Sequence, residues 1–423
     1  MLCRCCGVDV KVPALNRTRA IFLALLAGLA LGAGVRASGQ PALAAAVEAL
    51  LPLGQLWVRA LQMTLVPLIF AMVTHGVAEA VSGGRGGRLI RTTGLVFAAM
   101  LALTALIATL LSEAVLHLWP LGRGTLAGLA PGAPPPTPSF TSQLLALVPD
   151  NPVAAAAQGQ IFPMVVFAVL LGLAIARLPA GPEGPSRLPA LLADLARAMM
   201  LMVDWVLVAA PLGIFLLVAG MALHAGLAVA HMLAIFVGLC VLNSLVMLGV
   251  CYGLVAASRA FPLGRFAAAI APAQAMAAGT SSSLATTPVM LDIALKVLRL
   301  PEDVATMVIP VAVSIFRVGT VANAVPAVLV AAHAAGIEPS LGQLVLAGAA
   351  VVLASVSAAG LPGAAVIYAF YAPGLQLLGA PLAIMPLYIA VIALPDPIIT
   401  LTSVSGDLAA ATLVARWLRG RQG

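Results

Sequence analysis

Six apolar runs follow one another with scarcely a charge inside them, each near the roughly 20 residues that cross a bilayer as a helix. They lie at Ala20–Val35, Leu56–Val81, Leu89–Leu118, Gln160–Arg177, Met199–His224 and Ala228–Ala257. No soluble domain hides this much apolar sequence and still coats its surface with charge. Only 8% of the 423 residues are charged and 62% are hydrophobic, against about 25% and 45–50% in soluble domains. These proportions exclude an ordinary soluble enzyme, and disorder as well, since disorder needs low hydrophobicity. The solvent for most of the chain is lipid.

The formal net charge of +7 does not point to nucleic acid, because the basic residues form short clusters between apolar runs rather than a stripe with interleaved aromatics. With a cytoplasmic N-terminus and six crossings in turn, 17 of the 21 Lys and Arg fall inside. Only Arg36 and Arg123 fall outside, and Arg59 and Arg317 lie within spans. Cytoplasmic loops carry that excess of basic residues, so both termini are expected inside, in an inner membrane. The first run leads straight into further spans and reads as a first helix rather than a cleaved signal. Cys3, Cys5 and Cys6 crowd the N-terminus with no matching His or Cys cluster, so neither a metal site nor a disulfide framework is expected. Pro131–Pro138 reads as an external linker and Pro179–Arg187 as a short inside connection.

After residue 257 the pattern changes. Two segments broken by small residues and Pro, Phe266–Leu291 and Leu341–Tyr371, are each followed by a long apolar stretch, Ala305–Ala332 and Leu382–Leu418. The basic residues require both broken segments to return to the side they came from, as re-entrant hairpins. Irregular backbone at membrane depth is tolerated only where it lines a cavity or is buried in protein. A matched pair of such segments is the best sequence pointer to a transporter built from inverted repeats. The tips carry Gly279-Thr280-Ser281-Ser282-Ser283 and Ser355-Val356-Ser357-Ala358-Ala359-Gly360-Leu361-Pro362-Gly363. Small and hydroxyl residues let backbone N–H groups approach a ligand, and half-helix N-termini favour an anion.

Between Thr306 and Ala415 the only charged residues are Arg317, Glu338, Asp396 and Asp407, and Glu338 falls in a loop. A charge at the bilayer centre costs about 2.5–3.5 kcal/mol on insertion scales, which makes each of the other three a site candidate. Asp396, Thr400, Ser403 and Asp407 share one helix face at i, i+4, i+7 and i+11. Pro395 and Pro397 should open backbone groups around the first of them. The plainer alternative pairs Arg317 with one of the aspartates for structure.

These residues resemble the dicarboxylate/amino acid:cation symporters, the glutamate-transporter-like sodium:dicarboxylate symporter family, from about residue 20 to 418. The resemblance rests on Val66-Pro67-Leu68-Ile69-Phe70, Asn151-Pro152, Gln160-Ile161-Phe162-Pro163 and Phe167–Gly172 in the first half. In the second half it rests on Thr280–Ser283 with Pro288, Ala359-Gly360-Leu361-Pro362-Gly363-Ala364 and Val404-Ser405-Gly406-Asp407. It implies an all-α integral membrane fold of eight transmembrane helices plus two re-entrant helical hairpins. It also implies a homotrimer in which a second-half transport core, residues 258–423, moves elevator-fashion against a scaffold within residues 1–257. The small-molecule substrate would be an amino acid or carboxylate, with Na+ or H+ as coupling ion and no enzymatic chemistry. By the same resemblance Asp396 faces a substrate amino group and Asp407 ligates sodium. Ser282 and Ser283 supply first-tip contacts, Leu361, Gly363 and Ala365 second-tip contacts, and Thr320 matches a threonine at the substrate; Thr400 and Ser403 join the candidate substrate site from their shared helix face, Ser403 standing where relatives carry an asparagine.

The chain departs from the family at Phe316-Arg317-Val318-Gly319-Thr320, where relatives carry Asn-Met-Asp-Gly-Thr. Phe316 and Val318 cannot replace the oxygen donors of two sodium ligands. Ile399 stands where a substrate-clamping arginine is expected, and Arg317 is new. Loss of the clamp leads to the expectation of a neutral amino acid substrate, with sodium coupling in doubt. Arg317 then has two readings: a tethered cation that replaces sodium near Asp396 and Asp407, or the group that binds a carboxylate and restores dicarboxylate or acidic amino acid transport. An uncoupled facilitator on the same fold would follow from the lost sodium ligands. A serine hydrolase is set aside, because the five histidines lie at span ends or in the first half, away from Ser281–Ser283.

Overall fold

The computed structural model describes residues 14–82, 87–122, 148–158, 161–178, 187–225, 228–357 and 364–419. Among these the regular structure is entirely helical. Backbone polar groups facing hydrocarbon must be satisfied within the segment, and only the helix does this along one continuous strand of chain. The first half forms α1 (Ala14–Ser38), α2 (Pro41–Ser82), α3 (Gly87–Leu118), α4 (Pro152–Ala157), α5 (Ile161–Ala176), α6 (Leu188–Val208), α7 (Ala210–Ala225) and α8 (Ala228–Ala257). The second half forms α9 (Leu263–Thr280), α10 (Ser283–Asp292), α11 (Glu302–Ile315), α12 (Val318–Ala334), α13 (Leu341–Ser357), α14 (Ala364–Leu378), α15 (Met385–Val391) and α16 (Asp396–Arg419). The Pro131–Pro138 linker and most of the 179–187 connection lie outside the described residues.

Four continuous apolar stretches, Arg88–Leu118, Ala228–Ala257, Glu302–Ala334 and Asp396–Leu418, are long enough to cross a membrane among the described residues. The third is interrupted at Phe316–Arg317, where α11 stops and α12 starts. The run expected as one span at Met199–His224 is instead α6 and α7, separated at Ala209. The run expected at Leu382–Leu418 is likewise divided: α15 ends at Val391, and α16 begins at Asp396 between Pro395 and Pro397. Proline lacks the N–H that would continue the ladder, which accounts for the break.

Helix packing sorts the chain into two bundles that ignore sequence order. In one, α1 lies on α7 and α2 contacts α5, α6 and α7. The approach of α1 to α7 is so close that a Cβ on Gly28 would lie 2.7 Å from the Phe215 carbonyl oxygen, and one on Gly32 2.2 Å from that of Ala219. Small residues four apart make such contacts available in lipid, where burial of apolar surface does not drive helices together. Trp57 Nε1 donates to the Val206 carbonyl at 3.0 Å, tying α2 to α6.

In the other bundle, α12 and α16 are the centre, and α3 and α8 from the first half pack on both. Asn243 on α8 donates to Ser112 Oγ on α3 at 3.3 Å, and Thr402 on α16 donates to the Ser244 carbonyl at 3.1 Å. Tyr388 on α15 donates to the Ala327 carbonyl on α12 at 2.7 Å. At the far end of α3, Glu113 meets the His333 ring of α12 at 3.2 Å. Helices on either side of residue 257 therefore interleave.

Candidate functional site

Two chain breaks fall between helices that pack on α16. The first lies between α9 and α10, where Ser281 adopts a left-handed conformation (φ 48°) and Ser282 is the N-cap of α10. The Ser282 hydroxyl accepts from the Ala285 N–H at 3.2 Å, and Thr280 Oγ1 donates back to the Met276 carbonyl at 2.8 Å. Much of the hydroxyl run is thus spent on capping and on carbonyls one turn away. This local bonding explains why Ser and Thr gather where a helix must stop and restart. Ser283 opens α10, and its N–H belongs to the free first turn.

The second break is Phe316–Arg317. Phe316 is buried and stacks on Phe97 of α3 with ring centroids 4.4 Å apart, and the edge of its ring faces Gly406 of α16 in apolar packing. Arg317, half-buried, is the N-cap of α12 and has its guanidinium carbon 5.9 Å from the centre of the Phe370 ring on α14. Its Nε is buried with no hydrogen-bond partner. The segment is pressed onto α16: a Cβ on Gly319 would lie 2.1 Å from the Ile399 carbonyl oxygen and 2.6 Å from Ser403 Oγ. Beyond that contact, a Cβ on Gly406 would reach the Val318 side chain at 3.3 Å. The break therefore sits directly over the turn of α16 that carries Asp407.

Asp407 is 1% exposed, and its Oδ1 is buried without a partner. It and Arg317 lie within each other's electrostatic field, yet no ion pair joins them among the described residues. Thr400 and Ser403 are buried on the same helix, and Ser403 Oγ donates to the Ile399 carbonyl at 3.1 Å. Asp396 is half-buried in the first turn of α16, where the helix dipole favours an acid. The Tyr371 hydroxyl is within electrostatic range of it. That hydroxyl accepts from Asn323 at 2.5 Å, and Asn323 in turn accepts from the Cys240 thiol at 2.5 Å.

The structure thus brings Arg317, Thr320, Ser403 and Asp407 to the α12–α16 contact, with Asp396 and Thr400 further toward the start of α16. Leu361 and Gly363 at the second tip lie outside the described residues, and Ala365 is in the first turn of α14. Sequence reasoning missed Phe370, Tyr371 and Asn323. A signal existed for the first two: aromatic residues are 5% of the chain, yet Tyr368, Phe370 and Tyr371 fall within four positions. Nothing in the sequence marks Asn323.

A cation supported by an aromatic face, half-buried and with unspent donors, suits a carboxylate ligand. A buried carboxylate with a bare oxygen suits a cation. The arrangement can therefore hold an anionic solute and a small cation near one another.

Comparison with known proteins gives a matching identity. The model of the sodium:dicarboxylate symporter family matches residues 18–417. A C4-dicarboxylate transport protein of Rhodospirillum rubrum is 29% identical over 403 residues, spanning 94% of this chain and 87% of that protein. Those of Azorhizobium caulinodans and Agrobacterium fabrum are 27% and 28% identical, spanning 86% and 94% of this chain and 82% and 87% of theirs. The match covers both helix bundles and both breaks, and the chain belongs to the sodium:dicarboxylate symporter family.

Proposed function

We propose that this protein is a secondary active transporter of C4-dicarboxylates in the inner membrane, in which Arg317 binds one substrate carboxylate. The observation that carries this reading is the Arg317 guanidinium, seated in the break between α11 and α12 over Phe370 with its Nε unpaired. A guanidinium offers five donors in a planar fork that matches a carboxylate, and here it stands in for the clamp that Ile399 cannot provide. The similarity to C4-dicarboxylate transport proteins favours this reading over the neutral amino acid expected from the loss of that clamp.

Eight crossings and two re-entrant hairpins, in a homotrimer with cytoplasmic termini, complete the proposal. The hairpin arms support it, because α10, which continues through the π-helical turn Ile293–Val297, and α14 with 15 residues each span at most about 23 Å at 1.5 Å per residue, short of the roughly 30 Å hydrocarbon core. The moving unit is the bundle around α12 and α16, with α3 and α8 carried along, against a scaffold of α1, α2, α5, α6 and α7. An imposed sodium gradient should drive succinate above its equilibrium level in proteoliposomes. Equilibration without accumulation would instead describe a facilitator. Unlabelled succinate should displace labelled succinate, whereas alanine, serine and leucine should not. Stronger competition by any of those three would return the neutral amino acid reading.

A further inference from the structure

Two charged side chains in the second bundle have a buried polar atom with no partner, Arg317 at Nε and Asp407 at Oδ1. They lie on facing elements, since Val318 packs on Gly406 and so sets the α11–α12 break over the Asp407 turn. Each feels the other's charge, but no hydrogen bond or ion pair locks them together among the described residues. A locked pair would spend its groups on each other and leave nothing for a ligand. A distant pair would leave Asp407 as an uncompensated charge in a membrane interior. The observed placement is between these limits: compensated at a distance, with donors and acceptor still open.

We propose that Asp407 and the substrate carboxylate compete for Arg317, and that this competition couples substrate binding to cation binding. The inference rests on the proposed dicarboxylate function and adds how that site is regulated. With the site empty, the guanidinium neutralises Asp407 and holds off a cation. An arriving dicarboxylate draws the guanidinium to itself, Asp407 loses its counter-charge, and a small cation takes the vacated carboxylate. The reverse holds by linkage, because a cation at Asp407 releases Arg317 and raises substrate affinity. Phe316 and Val318 supply no oxygen donors here, so the side-chain oxygen offered to the cation at this turn is that of Asp407.

The competition makes a counterintuitive prediction. Asp407→Asn removes the rival anion and mimics a cation-neutralised carboxylate, so it should bind succinate at least tenfold tighter than the unchanged protein in sodium-free choline buffer. Added sodium should then leave its affinity unchanged, while it tightens binding to the unchanged protein. Succinate binding can be read from thermal stabilisation of the purified, detergent-solubilised protein. Equal or weaker binding by Asp407→Asn in choline would overturn the inference. Failure of succinate to bind the unchanged protein in either buffer would instead remove the proposed function.

A second measurement needs no ligand. Arg317→Met leaves Asp407 without compensation and should lower the melting temperature, and adding Asp407→Asn should restore most of the loss. Strictly additive effects in that double-mutant cycle would overturn the pairing on which the competition depends. If Arg317→Met alone is too unstable to purify, recovery of folded protein in the double variant is the expected result, and loss of both contradicts it.

Discussion

At the residue scale the site depends on charges that lipid makes expensive. Arg317 is retained in a helix break, where its N-cap position frees it from the regular ladder and Phe370 supports its cation. Arg317→Lys keeps the charge but loses the planar fork, so succinate uptake should fall by about tenfold, the equivalent of about 1.4 kcal/mol. Uptake by Arg317→Lys at the unchanged rate would show that only charge matters there. Asp396 separates two kinds of acidic substrate, because succinate has no ammonium for it to meet. Asp396→Asn should leave succinate uptake within about twofold while reducing any uptake of aspartate. Equal losses for both would make Asp396 part of the scaffold of α16. Gly319 has no room for a side chain against Ile399 and Ser403. Gly319→Ala should therefore destabilise the protein by about 1–3 kcal/mol and move Arg317 off α16, measured as a lower melting temperature together with weaker succinate binding.

The element scale shows what local chemistry makes legible. The hydroxyl run at Thr280–Ser283 announces a helix stop and restart, and the structure uses it so, with Ser282 capping α10. Ser282→Ala should cost about 1 kcal/mol of stability, since an N–H of the first turn loses its acceptor. Pro395 and Pro397 likewise announce the opening before Asp396. The break at Phe316–Arg317 has no such marker: Pro310 and Pro326 sit inside helices on either side of it. Attention came to that stretch from Arg317 as an intramembrane charge and from the departure from a family motif, neither of which marks a helix break. The division of the run Met199–His224 at Ala209 did have a marker, Pro211 in the first turn of α7, which lacks the N–H that would continue the ladder.

For the whole molecule, hydropathy gives the number and order of apolar runs but not their partners. Lipid-facing and partner-facing surfaces are both apolar, so α3 and α8 carry no sequence sign that they pack on α12 and α16 rather than on their neighbours in the chain. The contacts that do show it, Thr402 with Ser244 and Glu113 with His333, join residues more than 100 positions apart. If α3 and α12 belong to one moving unit, tethering them should not impair transport. Cysteines at 113 and 333, joined by a short bifunctional thiol reagent with Cys3, Cys5 and Cys6 replaced by serine, should leave uptake intact. Loss of uptake on cross-linking would place α3 in the scaffold.

Uptake of labelled succinate into proteoliposomes by the unchanged protein and by Arg317→Met, with sodium or choline outside, decides whether Arg317 holds the substrate carboxylate. The expected result is saturable uptake that sodium stimulates and that Arg317→Met lowers at least tenfold. Full uptake by Arg317→Met would contradict it, because the carboxylate would then be held without the one cation that the helix break presents.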